Sequence, residues 1–375
     1  MPAHPRPVSV ADVVSAVDAR VPFSKAGGWD PVGLQLGDPA ASVESVAVCH
    51  EVTRHIVDMV NAENIDLLVS YHPLLFAPTT RIVSGRGPAG RAADLLRHQV
   101  SLLVVHTAFD VAPGGVADAL ADALGLGDVT AFGPSYGTDT VKVVTFVPQE
   151  ERDTVVAAMA AAGAGTIGHY RDAAFTVVGE GSFTASAAAT PVVGEPGQHT
   201  TSSEIRVEMV ASARSVDRVV GALVAAHPYE EPAYDVFDHR GNAGFIGRRG
   251  TMSTPIDLGR FGAFVADQLD AAPRIAGDPS RPVSGVSVIP GSGRSHLSAA
   301  EPTDVIVTGD IGHHDARAAT DRGQAIVDPG HAPTERPGVA RLYSLVHEVA
   351  TAFGQVVVHD LTKTDSDPWS HAWRR

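Results

Sequence analysis

The chain has little that would mark a secreted, membrane or nucleic-acid-binding protein. It holds one cysteine, Cys49, so no disulfide can form within it, and a reducing, cytoplasmic setting is expected. Met1-Pro2-Ala3-His4-Pro5-Arg6-Pro7 offers no apolar stretch after its basic residue, so no secretory signal is expected. No run approaches the roughly 18 apolar residues of a membrane span, so no membrane partner is expected. Positive charge is scarce, with 28 Lys and Arg against 43 Asp and Glu and a net charge of -15. That balance repels phosphate backbones and makes nucleic acid an unlikely partner, although Arg248-Arg249 could form a local basic patch. Neither a nucleophile elbow nor a Gly-Lys-Ser/Thr phosphate loop is present.

What is present is a core and a pattern. Hydrophobic residues make up 44% of 375 residues, enough for two or three domains. Four short apolar runs end in histidine or carboxylate. Asp66 to Ser70 leads to Tyr71-His72-Pro73, and Ser101 to Val105 leads to His106-Thr107-Ala108-Phe109-Asp110. Asp304 to Thr308 leads to Gly309-Asp310-Ile311-Gly312-His313-His314-Asp315. Ala325 to Val327 leads to Asp328-Pro329-Gly330-His331, with Glu335 close behind. Runs apolar on both faces read as buried strands of a parallel sheet, and such sheets bind ligands just outside the carboxyl ends of their strands.

Alternating strand and helix signals in the first and last parts imply α/β layering. From about residue 138 the order is βαββαβ, the split pattern of ferredoxin-type domains. It includes a Gly/Ser/Thr/Pro-rich excursion at 180–202. A Gly-rich linker is expected at 241–250 and a loosely held tail from Thr364. The expected layout is therefore 1–137 and 241–375 as two parts of one α/β core, with 138–240 inserted.

Imidazole and carboxylate at one sheet edge are the ligand types of Zn, Fe or Mn sites. His106 and Asp110 are four apart, as are His331 and Glu335. Pro113, Pro329, Gly330 and Pro333 argue for loops rather than helices there. Asp310 and His314 read as groups that orient a ligand imidazole or carry protons, with direct ligation and a purely structural role left open. His4, His50, His55, His98, His199, His296, His347, His359 and His371 lack the strand-end setting and read as ordinary. Gly291-Ser292-Gly293-Arg294-Ser295 could nest an anion or be a plain turn. His227-Pro228-Tyr229-Glu230-Glu231-Pro232 reads as a rigid loop with surface glutamates.

Five segments together resemble the NIF-three-like family, whose members often carry the label GTP cyclohydrolase 1 type 2 homologue. They are Gly28 to Asp38, Ser70 to Phe76, His106 to Gly115, Thr308 to Asp315, and Asp328 to His331 with Glu335. Gly163 to Tyr170 and Ala226 to Asp235 are similar to the PII/CutA-type ferredoxin-like insert of its longer members. The resemblance implies a two-lobed α/β core, a toroidal homohexamer and two divalent ions per chain. The ligands it implies are His72, His106, Asp110, His331 and Glu335. The sequence departs where Tyr71 replaces the first of two adjacent histidines. A neutral phenol, with a pKa of about 10, is a poor ligand, so the second ion position is expected to be weak. The expected activity is a metal-dependent hydrolase acting on a small, possibly nucleotide-like substrate. The rival is a non-catalytic metal-binding scaffold whose insert senses a small ligand.

Overall fold

A computed structural model describes residues 6–135, 140–167, 169–239, 245–364 and 367–369. His4, His371 and most of the polar tail lie outside the described residues. The helices are α1 Val10–Arg20, α2 Arg54–Ala62, α3 Gly87–Arg97, α4 His106–Val111, α5 Val116–Ala123, α6 Arg152–Ala161, α7 Val216–Ala226, α8 Leu258–Leu269, α9 His313–Asp321 and α10 His331–Thr351. Strands β1 to β5 are Gly33–Leu36, Ser45–Cys49, Leu67–Ser70, Ser101–Val104 and Gly127–Ser135. Strands β6 to β9 are Thr140–Val147, Ala174–Thr184, His199–Ser212 and Tyr234–Asp238. Strands β10 to β15 are Phe245–Asp257, Arg274–Ala276, Pro282–Ser292, Val305–Gly309, Ala325–Asp328 and Val357–Asp360. Among the described residues no helix is long and apolar enough to cross a membrane.

The chain divides into two units, Met1–Gly137 with Gly244–Arg375, and Thr138–Ala243. The first is a mixed α/β unit with two sheets, ordered β1-β4-β3-β2-β15 and β11-β14-β13-β12-β10-β5. All four apolar runs are buried strands, β3 running parallel to β4 and β13 parallel to β14. Each serves two cores because alternate residues face opposite ways. Leu67 and Val69 join Val10, Val13 and Leu342 on one side, and Leu68 joins Ile56 and Leu95 on the other. The two parts of the sequence also exchange strands. β15 pairs in parallel with β2, and β5 pairs antiparallel with β10. Residues 245–250, expected in a linker, are therefore the start of a strand that two neighbours hold in the sheet.

Arg248 and Arg249 do not form a basic patch. Arg248 is buried against Asp118, and Arg249 makes a two-pronged pair with Asp304 at 2.7 and 2.9 Å. Asp304 is fully enclosed and also accepts from the Ser287 hydroxyl at 2.7 Å.

The second unit is a four-stranded antiparallel sheet ordered β7-β8-β6-β9, with α6 and α7 on one face. Val143, Val207, Met159 and Leu223 fill its core. The expected excursion at 180–202 is shorter than its composition suggests. The β7–β8 ladder runs on to the pair Thr184 and His199, so only residues 185–198 are loop. Phe183, Thr184, Thr200 and Thr201 favour extended backbone there.

Candidate metal centre at the strand ends

The first unit gathers His72, His106, Asp110, His331 and Glu335 beyond the carboxyl ends of its strands. His72 follows β3, and its Nε2 lies 3.2 Å from Glu335 Oε2. His331 opens α10, and its Nε2 lies 3.0 Å from Glu335 Oε1, one turn further on. His106 opens α4 beside the His72 ring, with centroids 5.2 Å apart.

The loop reading of the two spaced pairs was wrong. His106 and Asp110 lie on α4, and His331 and Glu335 on α10, so each pair shares a helix face. Pro113 comes after α4 has ended. Pro329 and Gly330 precede α10, and Pro333 is its third residue, where a missing N–H costs no helical bond.

Sequence reasoning missed two residues. His50 was read as ordinary, yet it is buried and its Nε2 lies 2.8 Å from Glu335 Oε2. The signal was there, because His50 directly follows β2 just as His72 lies beyond β3. His50, His72 and Glu335 each present one ligand atom, and the three atoms lie within 4.8 Å of one another. Asp30 is the second. Its carboxylate takes a hydrogen bond from His106 Nδ1 at 2.8 Å and others from the Thr107 amide and hydroxyl. This fixes the imidazole so that Nε2 is the nitrogen left for a ligand. Burial works against the charged forms, but the mutual hydrogen bond prevails, lifting His106 and lowering Asp30 from their ordinary values.

Of the two proton-handling candidates, one joins the cluster. Asp310 lies 2.7 Å from His331 Nδ1 and orients that ring. His314 is exposed, and among the described residues its ring packs on His313 rather than on the cluster. It is the second residue of α9, which starts at His313. The turn at 291–293 is no anion nest either. Its amides donate to Thr334 and Thr308 hydroxyls at 2.8 and 2.9 Å. Gly291 is there for space: at φ +60°, a Cβ would stand 2.5 Å from Glu335 Oε1. Asp310 and His106 also have positive φ, +61° and +22°, so two site residues hold uncommon backbone.

Tyr71 occupies the centre. It is 1% exposed, donates to Asp110 Oδ1 at 2.5 Å, and lies 3.4 Å from Glu335 Oε1. Burial first, then the two carboxylates, push its phenol well above the ordinary range, so it stays a neutral donor. Burial pushes Asp110 up to about 7, only partly relieved by His106 and the Tyr71 hydrogen bond. Burial resists ionisation of Glu335 too, yet His72 charge and bonds to three imidazoles hold it well below the usual carboxylate range. Burial likewise disfavours charge on His331, but Glu335 and Asp310 outweigh it and raise that imidazole to about 10.

Over this cluster, half-exposed Trp29 and Phe76 stand 5.8 Å apart, each 6.4 Å from the His106 ring.

Comparison with known proteins shows the family of this chain. Residues 8–368 match the family described as Duf34/NIF3 (NGG1p interacting factor 3). A Bacillus subtilis protein named GTP cyclohydrolase 1 type 2 homolog is 33% identical over 372 residues, covering 97% of this chain and 98% of that one. A Mycobacterium tuberculosis protein of the same name is 36% identical over 374 residues, covering 97% of each. The crystal structure of a Bacillus cereus protein related to NIF3 superposes with a TM-score of 0.72 at 31% identity, covering 98% of this chain and 100% of that one. The chain belongs to the Duf34/NIF3 family.

Proposed function

We propose that the strand-end cluster is a divalent-cation site of a hydrolase acting on a small substrate with a planar, nucleotide-like ring. The observation that carries the reading is the convergence of His50, His72 and Glu335 ligand atoms within 4.8 Å. Two imidazoles and a carboxylate suit a borderline ion such as Zn, Fe or Mn. The position between Asp110 and Glu335 fits a second ion poorly, because the Tyr71 hydroxyl bonds to one carboxylate and faces the other. One ion per chain is therefore the loading proposed, rather than two.

A divalent ion would supply Lewis acidity, lowering the pKa of a water and polarising a substrate oxygen. The protein's own groups would do the rest. Asp110, a carboxyl that burial raises, can hold or release a proton. Tyr71 fixes its orientation. Asp30 and Asp310 fix the His106 and His331 rings. Trp29 and Phe76 offer faces on which a planar ring can stack. GTP ring opening, suggested by the relatives' name alone, has no dedicated phosphate-binding loop in this sequence to support it.

The test is elemental analysis of tag-free protein, with a hydrolysis screen of nucleotides and model phosphoesters. The expected result is about one equivalent of metal, lost in Glu335→Ala, with turnover that vanishes in Asp110→Ala. No metal after reconstitution would sink the reading. Metal without turnover would favour the rival scaffold role, which the phenol in place of a second ligand supports.

Three further readings belong to this proposal. The second unit is a ferredoxin-like domain of PII/CutA type, supported by its βαββαβ order and its sheet order β7-β8-β6-β9. The assembly is a toroidal homohexamer, which light scattering would report as a six-chain mass. The location is cytoplasmic, in keeping with a single, buried and reduced Cys49.

A further inference from the structure

The second unit contains a cavity of about 570 Å³, within the few hundred to 1,000 Å³ typical of small-molecule sites. Its floor is the outer face of the sheet, with Phe146 from β6, Val177 from β7, and Glu204 and Arg206 from β8. One wall is the loop 185–193 and the other is 229–233. The walls are tied together, since the Thr190 amide donates to Glu230 Oε1 at 2.9 Å. The wall at 229–233 is itself anchored. Buried His227 donates from Nε2 to the Phe146 carbonyl at 2.9 Å and accepts the Tyr229 amide at Nδ1, 3.1 Å away. The loop read from sequence as rigid with surface glutamates is thus one side of a built cavity.

Its charge is one-sided. Glu180, Glu204, Glu230 and Glu231 line it against the single cation Arg206. The Arg206 guanidinium is already engaged, donating to Glu208 at 2.8 Å and lying 5.5 Å above the Phe146 ring. Glu204 Oε1 accepts from the Tyr229 hydroxyl at 2.9 Å and weakly from Ser202 at 3.4 Å. Its Oε2 makes no hydrogen bond among the described residues and lies against Gly181, where any side chain would collide with it. Aromatic faces of Phe183 and Tyr229 stand among the apolar lining. A positioned carboxylate beside aromatic and aliphatic walls is the chemistry that recognises an organic cation, while small anions meet three excess negative charges.

We propose that this cavity binds a small organic cation with an apolar body, of the quaternary-ammonium or alkyl-guanidinium class, through Glu204 and the surrounding aromatic rings. Every residue that lines the site belongs to the second unit. The experiment is titration calorimetry of the full chain with benzyltrimethylammonium, using benzoate and benzyl alcohol as the anionic and neutral counterparts. The expected result is saturable binding of the cation at one per chain, at least about tenfold tighter than either counterpart. Glu204→Gln should weaken it about tenfold or more. Val193→Trp, at an exposed lining position, should abolish it by filling the space. Asp110→Ala should leave it unchanged. No binding at millimolar cation, equal binding of benzoate, or binding insensitive to both Glu204→Gln and Val193→Trp would overturn the proposal.

Discussion

The Tyr71 hydroxyl donates to Asp110 Oδ1 across 2.5 Å in a position closed to solvent. A donor that remains protonated thus faces a carboxylate that burial keeps close to neutrality. Histidine at the same position would instead offer a lone pair. Tyr71→His is therefore expected to raise metal content from about one to about two equivalents per chain by elemental analysis. A ratio that stays at one would show that the phenol is not what limits loading.

Removing the hydroxyl alone should destabilise the protein. Tyr71→Phe strips Asp110 of its donor without changing the packed ring. The expected cost is about 1–3 kcal/mol, read as a lower urea midpoint with an unchanged slope. An unchanged midpoint would mean that Asp110 finds another partner.

The Asp110 carboxyl gives metal-stripped protein a definite pH dependence. Its folded value of about 7 lies above the unfolded value of about 4. Between those values the folded state holds the extra proton, so stability falls as pH rises. The difference, about three units, corresponds to about 4 kcal/mol, an order-of-magnitude figure. Asp110→Asn keeps an acceptor for Tyr71 and cannot ionise. The wild-type melting temperature should therefore drop relative to this variant from pH 4 to pH 7. A constant difference would contradict a raised Asp110.

Gly291→Ala tests the close approach behind Glu335. A methyl group there meets the carboxylate at 2.5 Å on a backbone with φ +60°. Left-handed backbone with a Cβ costs roughly 1–2 kcal/mol, which the fold should survive. Metal binding should not, and retention of full metal content would show that Glu335 has room to move.

Away from the site, Arg249→Ala leaves enclosed Asp304 without its two-pronged partner. The expected loss is about 3 kcal/mol, at the low end for a buried pair because Arg249 is partly exposed. Asp304→Asn in the same background should recover part of it. Urea unfolding of the single and double variants reads both.

The local features were legible in sequence because they depend on near neighbours. Apolar runs of four or five residues read as buried strands, and the histidines and carboxylates after them as strand-end residues, although those ends belong to two sheets rather than one. His72, His106, Asp110, His331 and Glu335 follow from that rule. His314 satisfied the same rule, yet it is exposed in the first turn of α9 beside His313. His50 also satisfied it, but nothing local marked it as nearer to Glu335 than any other histidine.

By itself, then, the sequence determined the α/β class, the family signatures and the strand ends that carry the chemistry. Only the tertiary structure decided which groups meet. His50 and Glu335 are 285 residues apart and touch at 2.8 Å. Strand pairing and the docking of α10 bring them together, and those are set by side-chain packing across the whole unit. Whether Tyr71 faced a metal, a carboxylate or solvent was likewise a matter of rotamer and burial. A run of neighbouring residues carries no record of that.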